Sequence, residues 1–195
     1  MASAAGEPVA KSDPRTRILD AALRLMSEQG SAGMSMRQLA SACGLNVATI
    51  YHYFPSKADL LRSVMEERRY GERVRIEAPE IRAELAPRER LVHLLDWLLA
   101  NALAEESVLR LLVGEALRGE PAATASATEI VDLLTATLQT WLVDGFPELT
   151  GDVEAVARVI RGQVFAIVVE HLAMGPVSVS TTRTRAQELA AIVFP

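Results

Sequence analysis

The stretch that most constrains this chain is residues 35–61, SMRQLASACGLNVATIYHYFPSKADLL. Its helix-start and helix-stop signals follow one another so closely that only short helices fit between them. Ser35 followed by Gln38 is a capping-box pattern, in which each side chain bonds the other residue's backbone amide. Gly44 accepts the left-handed conformation without steric cost, so it ends that helix. Asn46 is a preferred cap for a second helix over 47–54. Pro55 stops the second helix, because it has no amide to donate and restricts the residue before it. Ser56 with Asp59 repeats the capping pattern and opens a further helix.

Two helices joined by a short turn containing Gly have the helix-turn-helix layout. Leu39, Ala40 and Cys43 share one face of the first helix, and Leu45, Ile50 and Phe54 supply the apolar counterpart. Ala40 is small where the second helix must cross close above it. The residues left facing outward are Val47, Ala48, Thr49, Tyr51, His52 and Tyr53. A short, neutral face of hydrogen-bonding groups and flat rings suits the major groove of DNA, where base edges and thymine methyls are read. Phosphate oxygens need donors that reach the backbone. Ser35, Met36 and Arg37 offer amides and a guanidinium at one helix start, while Lys57 adds its charge to the amides of another. Each residue also has a plainer reading. The rings of Tyr51 and Tyr53 can serve as packing, and Arg37, His52 and Lys57 as solvated surface groups. Cys43, on the packed face, reads as a small buried filler, with redox sensing as the alternative.

The run TIYHYFPSKADLL, with SMRQLA and ACGL before it, resembles the DNA-binding signature of the tetracycline-repressor (TetR) family. The resemblance is dense over residues 15–61; elsewhere only length and helical pattern agree. It implies that Tyr51, Tyr53 and Lys57 touch phosphates, and that Asn46, Val47, Ala48 and Thr49, with His52, approach bases. It also implies a dimer joined through the last two helices.

The remainder of the chain predicts an all-α protein of about nine helices. Ala and Leu dominate, and no stretch reads convincingly as a strand. Asp13 followed by Pro14 predicts a helix start with a side-chain cap, and Gly30 a helix end. The helix opened by Ser56 is expected to reach about residue 75, followed by a loop over 76–87. Further helices are expected over 88–103, 107–118, 126–143 (opened by a Ser126/Glu129 box) and 152–174, the last being the longest. The polar segment SVSTTRT then leads to a final helix over 184–194. The expected organisation is a tail over 1–12, a helix-turn-helix domain over 13–60 and a helical second domain over 61–195.

Charge follows the same division. Residues 1–70 carry nine Lys/Arg against seven Asp/Glu, a net +2, and residues 71–195 carry eleven against eighteen, a net −7; together these give the chain's −5. A mildly basic head on an acidic body confines phosphate contact to the head. One Cys excludes an internal disulfide framework. The first residues lack a signal-peptide core, and the longest apolar run, 164–169, is too short to span a bilayer, so a cytoplasmic protein is expected. No H-E-x-x-H, C-x-x-C, P-loop or G-x-S-x-G motif occurs, so neither an enzyme, a metal site nor a cofactor is expected.

The second domain has more apolar surface than one bundle needs. The helices over 152–174 and 184–194 are the candidates for a homodimer interface. A dimer would set two recognition helices about one DNA turn apart, roughly 34–36 Å, on a near-palindromic double-stranded operator. His93, Trp97, Glu115, Trp141, Phe165 and His171 are candidates for a ligand pocket between helices, with ordinary core filling or surface polarity as the alternative for each. The function expected is that of a repressor released from its operator by a small apolar or amphipathic molecule. The alternative is the same kind of regulator without a small-molecule effector, governed by a protein partner or by abundance.

Overall fold

The computed structural model describes residues 13–68 and 79–195, and every described element is helical. The expected tail over 1–12 and the stretch 69–78 lie outside the described residues. The chain divides into two compact units between Val64 and Met65.

The first unit begins with α1, Pro14–Gly33. Pro14 sits at the first helical position, where its preset φ helps and its missing amide costs nothing. The expected side-chain cap is absent: the Asp13 carboxylate makes no capping bond, and only its backbone carbonyl accepts, from the Arg17 amide at 3.1 Å. Gly30, at φ 76°, breaks the helix, and a last turn carries on to Gly33. The second helix, α2, Met36–Cys43, has the full capping box: the Gln38 amide donates to Ser35 Oγ at 3.2 Å, and the Ser35 amide to Gln38 Oε1 at 2.7 Å. Gly44 closes it at φ 64°, and the Leu45 amide reaches back to the Ala40 carbonyl at 2.9 Å, a Schellman closure.

The third helix, α3, is Val47–Tyr53, capped by Asn46 and stopped at Phe54 by Pro55. The fourth, α4, is Lys57–Arg68, opened by Ser56 Oγ, which accepts from the Asp59 amide at 3.0 Å. Its expected continuation to residue 75 runs into the stretch that is not described. Ile18, Ala22, Leu39, Ile50 and Leu60 are wholly buried, each large aliphatic contributing about 1.5–3 kcal/mol against leaving it in water. α1 packs on α2 and α2 on α3.

The second unit contains α5, Pro87–Ala104; α6, Glu106–Leu117; α7, Pro121–Gly145; α8, Val153–Met174; and α9, Val179–Val193. This brings the described helices to nine. α5 packs on α8 and α9, and α7 on α6 and α8. Three sequence expectations change here. α7 starts at Pro121, again because Pro suits a first helical position; Ser126 and Glu129, expected to open this helix, therefore lie inside it. Among the described residues the 25-residue α7, and not the 22-residue α8, is the longest helix. The polar run before the last helix is itself helical from Val179, capped by Ser178 Oγ accepting from the Thr181 amide at 3.1 Å.

One buried charge ties the second unit together. Arg90 is 5% exposed. It donates to the Gly145 carbonyl at 2.9 Å, pairs with Glu148, and lies 5.3 Å over the Phe146 ring, which stacks on Phe194. The start of α5 is thereby fastened to the junction between α7 and α8.

Candidate nucleic-acid interface

α3 has one inward anchor. Ile50 is fully buried, and Phe54, just past the helix end, is 2% exposed. The rest of the helix turns outward: Ala48, Tyr51 and His52 are exposed, and Val47, Thr49 and Tyr53 half-buried. Tyr51 is 48% exposed, so its ring is not a core element. The rings of His52 and Tyr53 meet edge to face with centroids 5.5 Å apart, which orders that end of the helix. At the N-terminal turn, Asn46 Oδ1 accepts from the Thr49 amide at 2.7 Å and from the Thr49 hydroxyl at 2.9 Å.

Two basic side chains hold this head together through backbone carbonyls. Arg17 donates to the Cys43 carbonyl at 2.8 Å, tying α1 to the end of α2, where a cation also suits the helix dipole. Lys57 donates through Nζ to the carbonyls of Met34 at 3.1 Å and Ala32 at 3.3 Å. The start of α4 is thus joined to the turn that introduces α2. No sequence motif marks either contact, because a carbonyl acceptor is supplied by every residue. Ser35 and Arg37 are exposed beside this turn, whereas the Met36 side chain is buried, at 8% exposure. Burial pushes the Cys43 thiol above its ordinary value, against the opposing pull of Arg17 and Arg24, so the group stays a thiol at neutral pH.

The six pocket candidates lie on four helices of the second unit. Trp97 on α5 and Trp141 on α7 meet edge to face, with centroids 5.5 Å apart. Glu115 is 3% exposed and pairs with Arg118 at 3.1 Å. His171 Nε2 lies 3.6 Å from a Glu106 carboxylate oxygen, and the other Glu106 oxygen takes Arg110 at 2.6 Å. Phe165 is 55% exposed on the outer side of α8. His93 lines a surface groove of about 390 Å³ between the first two turns of α5 and the middle and later turns of α9, beside Arg88, Val92, Arg183 and Ala190. Among the described residues no group of three or more His, Cys, Asp or Glu is placed to hold a metal ion, and no helix is long and apolar enough to cross a membrane.

A seven-residue helix anchored inward by Ile50, presented on a tight glycine turn and braced by two further helices, is the reading head of a helix-turn-helix DNA-binding protein. Residues 18–64 match the family model described as bacterial regulatory proteins, tetR family. A curated relative, the HTH-type transcriptional repressor KstR of Mycolicibacterium smegmatis, is 33% identical over 158 residues, which span 77% of this chain and 72% of that protein. The chain belongs to the TetR family of helix-turn-helix transcriptional regulators. The fold agrees with solved structures. GusR of Salmonella enterica superposes with a TM-score of 0.69 at 22% identity, over 96% of this chain and 99% of that one. A transcriptional regulator from Aquifex aeolicus gives 0.71 at 20% identity, over 93% and 100%.

Proposed function

We propose that this protein is a repressor that binds a near-palindromic operator as a homodimer and leaves it when a small apolar or amphipathic molecule enters the second unit. In this reading it acts on DNA in the cytoplasm and catalyses nothing. Residues 13–60 are the DNA-binding part and 61–195 the effector and dimer part. The observation that carries the reading is the outward face of α3: six side chains turned to meet base edges or phosphates, held in place by one buried anchor, Ile50. Ser35, Arg37, Tyr51, Tyr53 and Lys57 serve the phosphates, with Met36 contributing only its backbone amide. Asn46, Val47, Ala48, Thr49 and His52 face the bases.

Support for the dimer comes from α8 and α9. Val159 and Phe165 are 54% and 55% exposed on α8, with Gly162 between them facing open space, and Ile192 on α9 is 77% exposed. Apolar groups of this size on adjacent helices fit a four-helix interface between two copies. Release then requires an effector with different affinity for the DNA-competent and DNA-incompetent states. A second reading is the same regulator without a small-molecule effector. A thermal-shift screen separates the two: a compound that stabilises the protein and also weakens operator binding supports release by ligand. The main reading is tested by selecting bound DNA from a random pool. Enrichment of an inverted repeat is expected; enrichment of a single unrepeated site would remove the dimer, and no enrichment would remove the operator.

A further inference from the structure

We propose that Asn46 and Thr49 act as one locked donor–acceptor pair that selects adenine at one position of each operator half-site. This rests on the DNA-reading surface proposed above and adds the base that it reads. What points to DNA is the family match over residues 18–64, independent of the hydrogen bonds used here.

The argument starts from which atom must be which. Asn46 Oδ1 lies 2.7 Å from the Thr49 backbone nitrogen. A backbone N–H can only donate, so the atom facing it is the amide oxygen and the amide's orientation is settled. The Thr49 hydroxyl lies 2.9 Å from that same oxygen. An amide oxygen only accepts, so the hydroxyl must donate, and its single proton is engaged. Thr49 Oγ1 keeps its lone pairs and has no second proton to offer. On the exposed Asn46, Nδ2 keeps both of its N–H groups, with no acceptor among the described residues.

A threonine hydroxyl ordinarily rotates and serves as donor or acceptor, so it discriminates poorly between bases. Here the helix cap holds it as an acceptor, one turn from an amide held as a donor. In the major groove adenine places an acceptor, N7, beside a donor, the N6 amino group. Guanine places two acceptors there, N7 and O6, and O6 would face the Thr49 lone pairs. Cytosine offers only the N4 donor and thymine only the O4 acceptor with its methyl. Adenine alone satisfies both members of the pair. Asn46 cannot instead make the usual bidentate contact with adenine by itself, because its oxygen already holds the helix start.

The test takes the operator enriched by the wild-type protein and substitutes each half-site position with all four bases. Binding is measured for wild type, Thr49→Val and Asn46→Asp. Wild type should show one position per half-site at which adenine is preferred over guanine by about 5- to 150-fold. Thr49→Val keeps the size and one methyl but removes the acceptor; it should abolish that preference and leave the other positions unchanged. Asn46→Asp still caps the helix, since Asp is as good a cap as Asn, and its carboxylate accepts from cytosine N4. At that same position the preference should therefore move from adenine to cytosine, whatever happens to overall affinity. The inference is overturned by a guanine preference there, or by Thr49→Val leaving every preference intact while the wild type still enriches an inverted repeat. A wild-type protein that enriches nothing would overturn the DNA-reading surface along with it.

Discussion

Replacing Lys57 with Met separates the carbonyl bonds of its ammonium group from the phosphate contact proposed for it. In the free protein two of its three donors are engaged, by the Met34 carbonyl at 3.1 Å in a partly buried setting and by the Ala32 carbonyl at 3.3 Å in an exposed one. A hydrogen bond involving a charge is worth about 1.5–3 kcal/mol when well shielded, but water competes at both of these sites. Together they should stabilise the head by about 1–2 kcal/mol. The third donor remains for a phosphate, and losing one phosphate contact lowers the salt dependence of log affinity by about 0.9. Between 50 and 200 mM salt, a fourfold change, the affinity ratio of wild type to variant should therefore narrow by about 3.5-fold. Operator titrations at several salt concentrations, alongside thermal melts by circular dichroism, measure both effects. A variant that is less stable but keeps the wild-type salt slope would show that Lys57 acts only through the two carbonyls, refuting its phosphate role. An unchanged melt with a flattened slope would show that the carbonyl bonds contribute nothing.

Other perturbations bear on separate parts of the fold. Gly44→Ala places a side chain at φ 64° with nothing within 4 Å of the new carbon, so the cost is conformational alone, about 1 kcal/mol, and Gly44→Asn should cost less; denaturant titration checks both. Arg90→Ala strips the Gly145 carbonyl of its donor and leaves a void beside Phe146, while Glu148, half exposed, regains water; we expect a loss of about 2–4 kcal/mol. Both tryptophans, Trp97 and Trp141, lie in the second unit, so their fluorescence during denaturation reports that loss directly. The carboxyls of Glu106, Glu148 and Glu170 are all held below the ordinary value: Glu106 and Glu170 chiefly by hydrogen bonds from Arg110 and Arg185, Glu148 first by a backbone hydrogen bond and then by Arg90. A depressed carboxyl stabilises the folded state above its unfolded pKa, about 4.3, and loses that contribution as pH falls through the folded value. Tryptophan-monitored stability should therefore decline below about pH 4.3, and Glu170→Gln should flatten that decline.

The head was legible in the sequence because its signals are local. Ser35 with Gln38, Gly44, and Asn46 with Thr49 act within four residues of one another, and each stands where local rules put it. Ambiguity arose where one residue type serves two purposes. Pro121 stands two residues after Gly119, so it reads equally as the end of one helix and the beginning of the next; only packing of the whole of α7 against α6 and α8 decides. The first turns of α9 are rich in Ser and Thr, which favour helices poorly, yet long-range pairs hold them: Arg183 to Asp96 at 3.3 Å and Arg185 to Glu170 at 2.6 Å. Arg90 and Lys57 find acceptors 55 and 23 residues away in sequence, and a carbonyl acceptor leaves no trace in residue type. The six pocket candidates share a chemical character, polar or aromatic among aliphatic residues, but composition carries no information on whether such residues face one another.

The central claim is that the outward face of α3 reads a specific sequence rather than merely clinging to DNA. The most direct measurement compares the affinity of the protein for its selected operator with that for a scrambled duplex of equal length and composition, at one salt concentration near 150 mM. Specific recognition predicts a ratio of about 10³ or more, falling towards one when Val47, Ala48 and Thr49 are replaced together. A wild-type ratio near one would contradict the account.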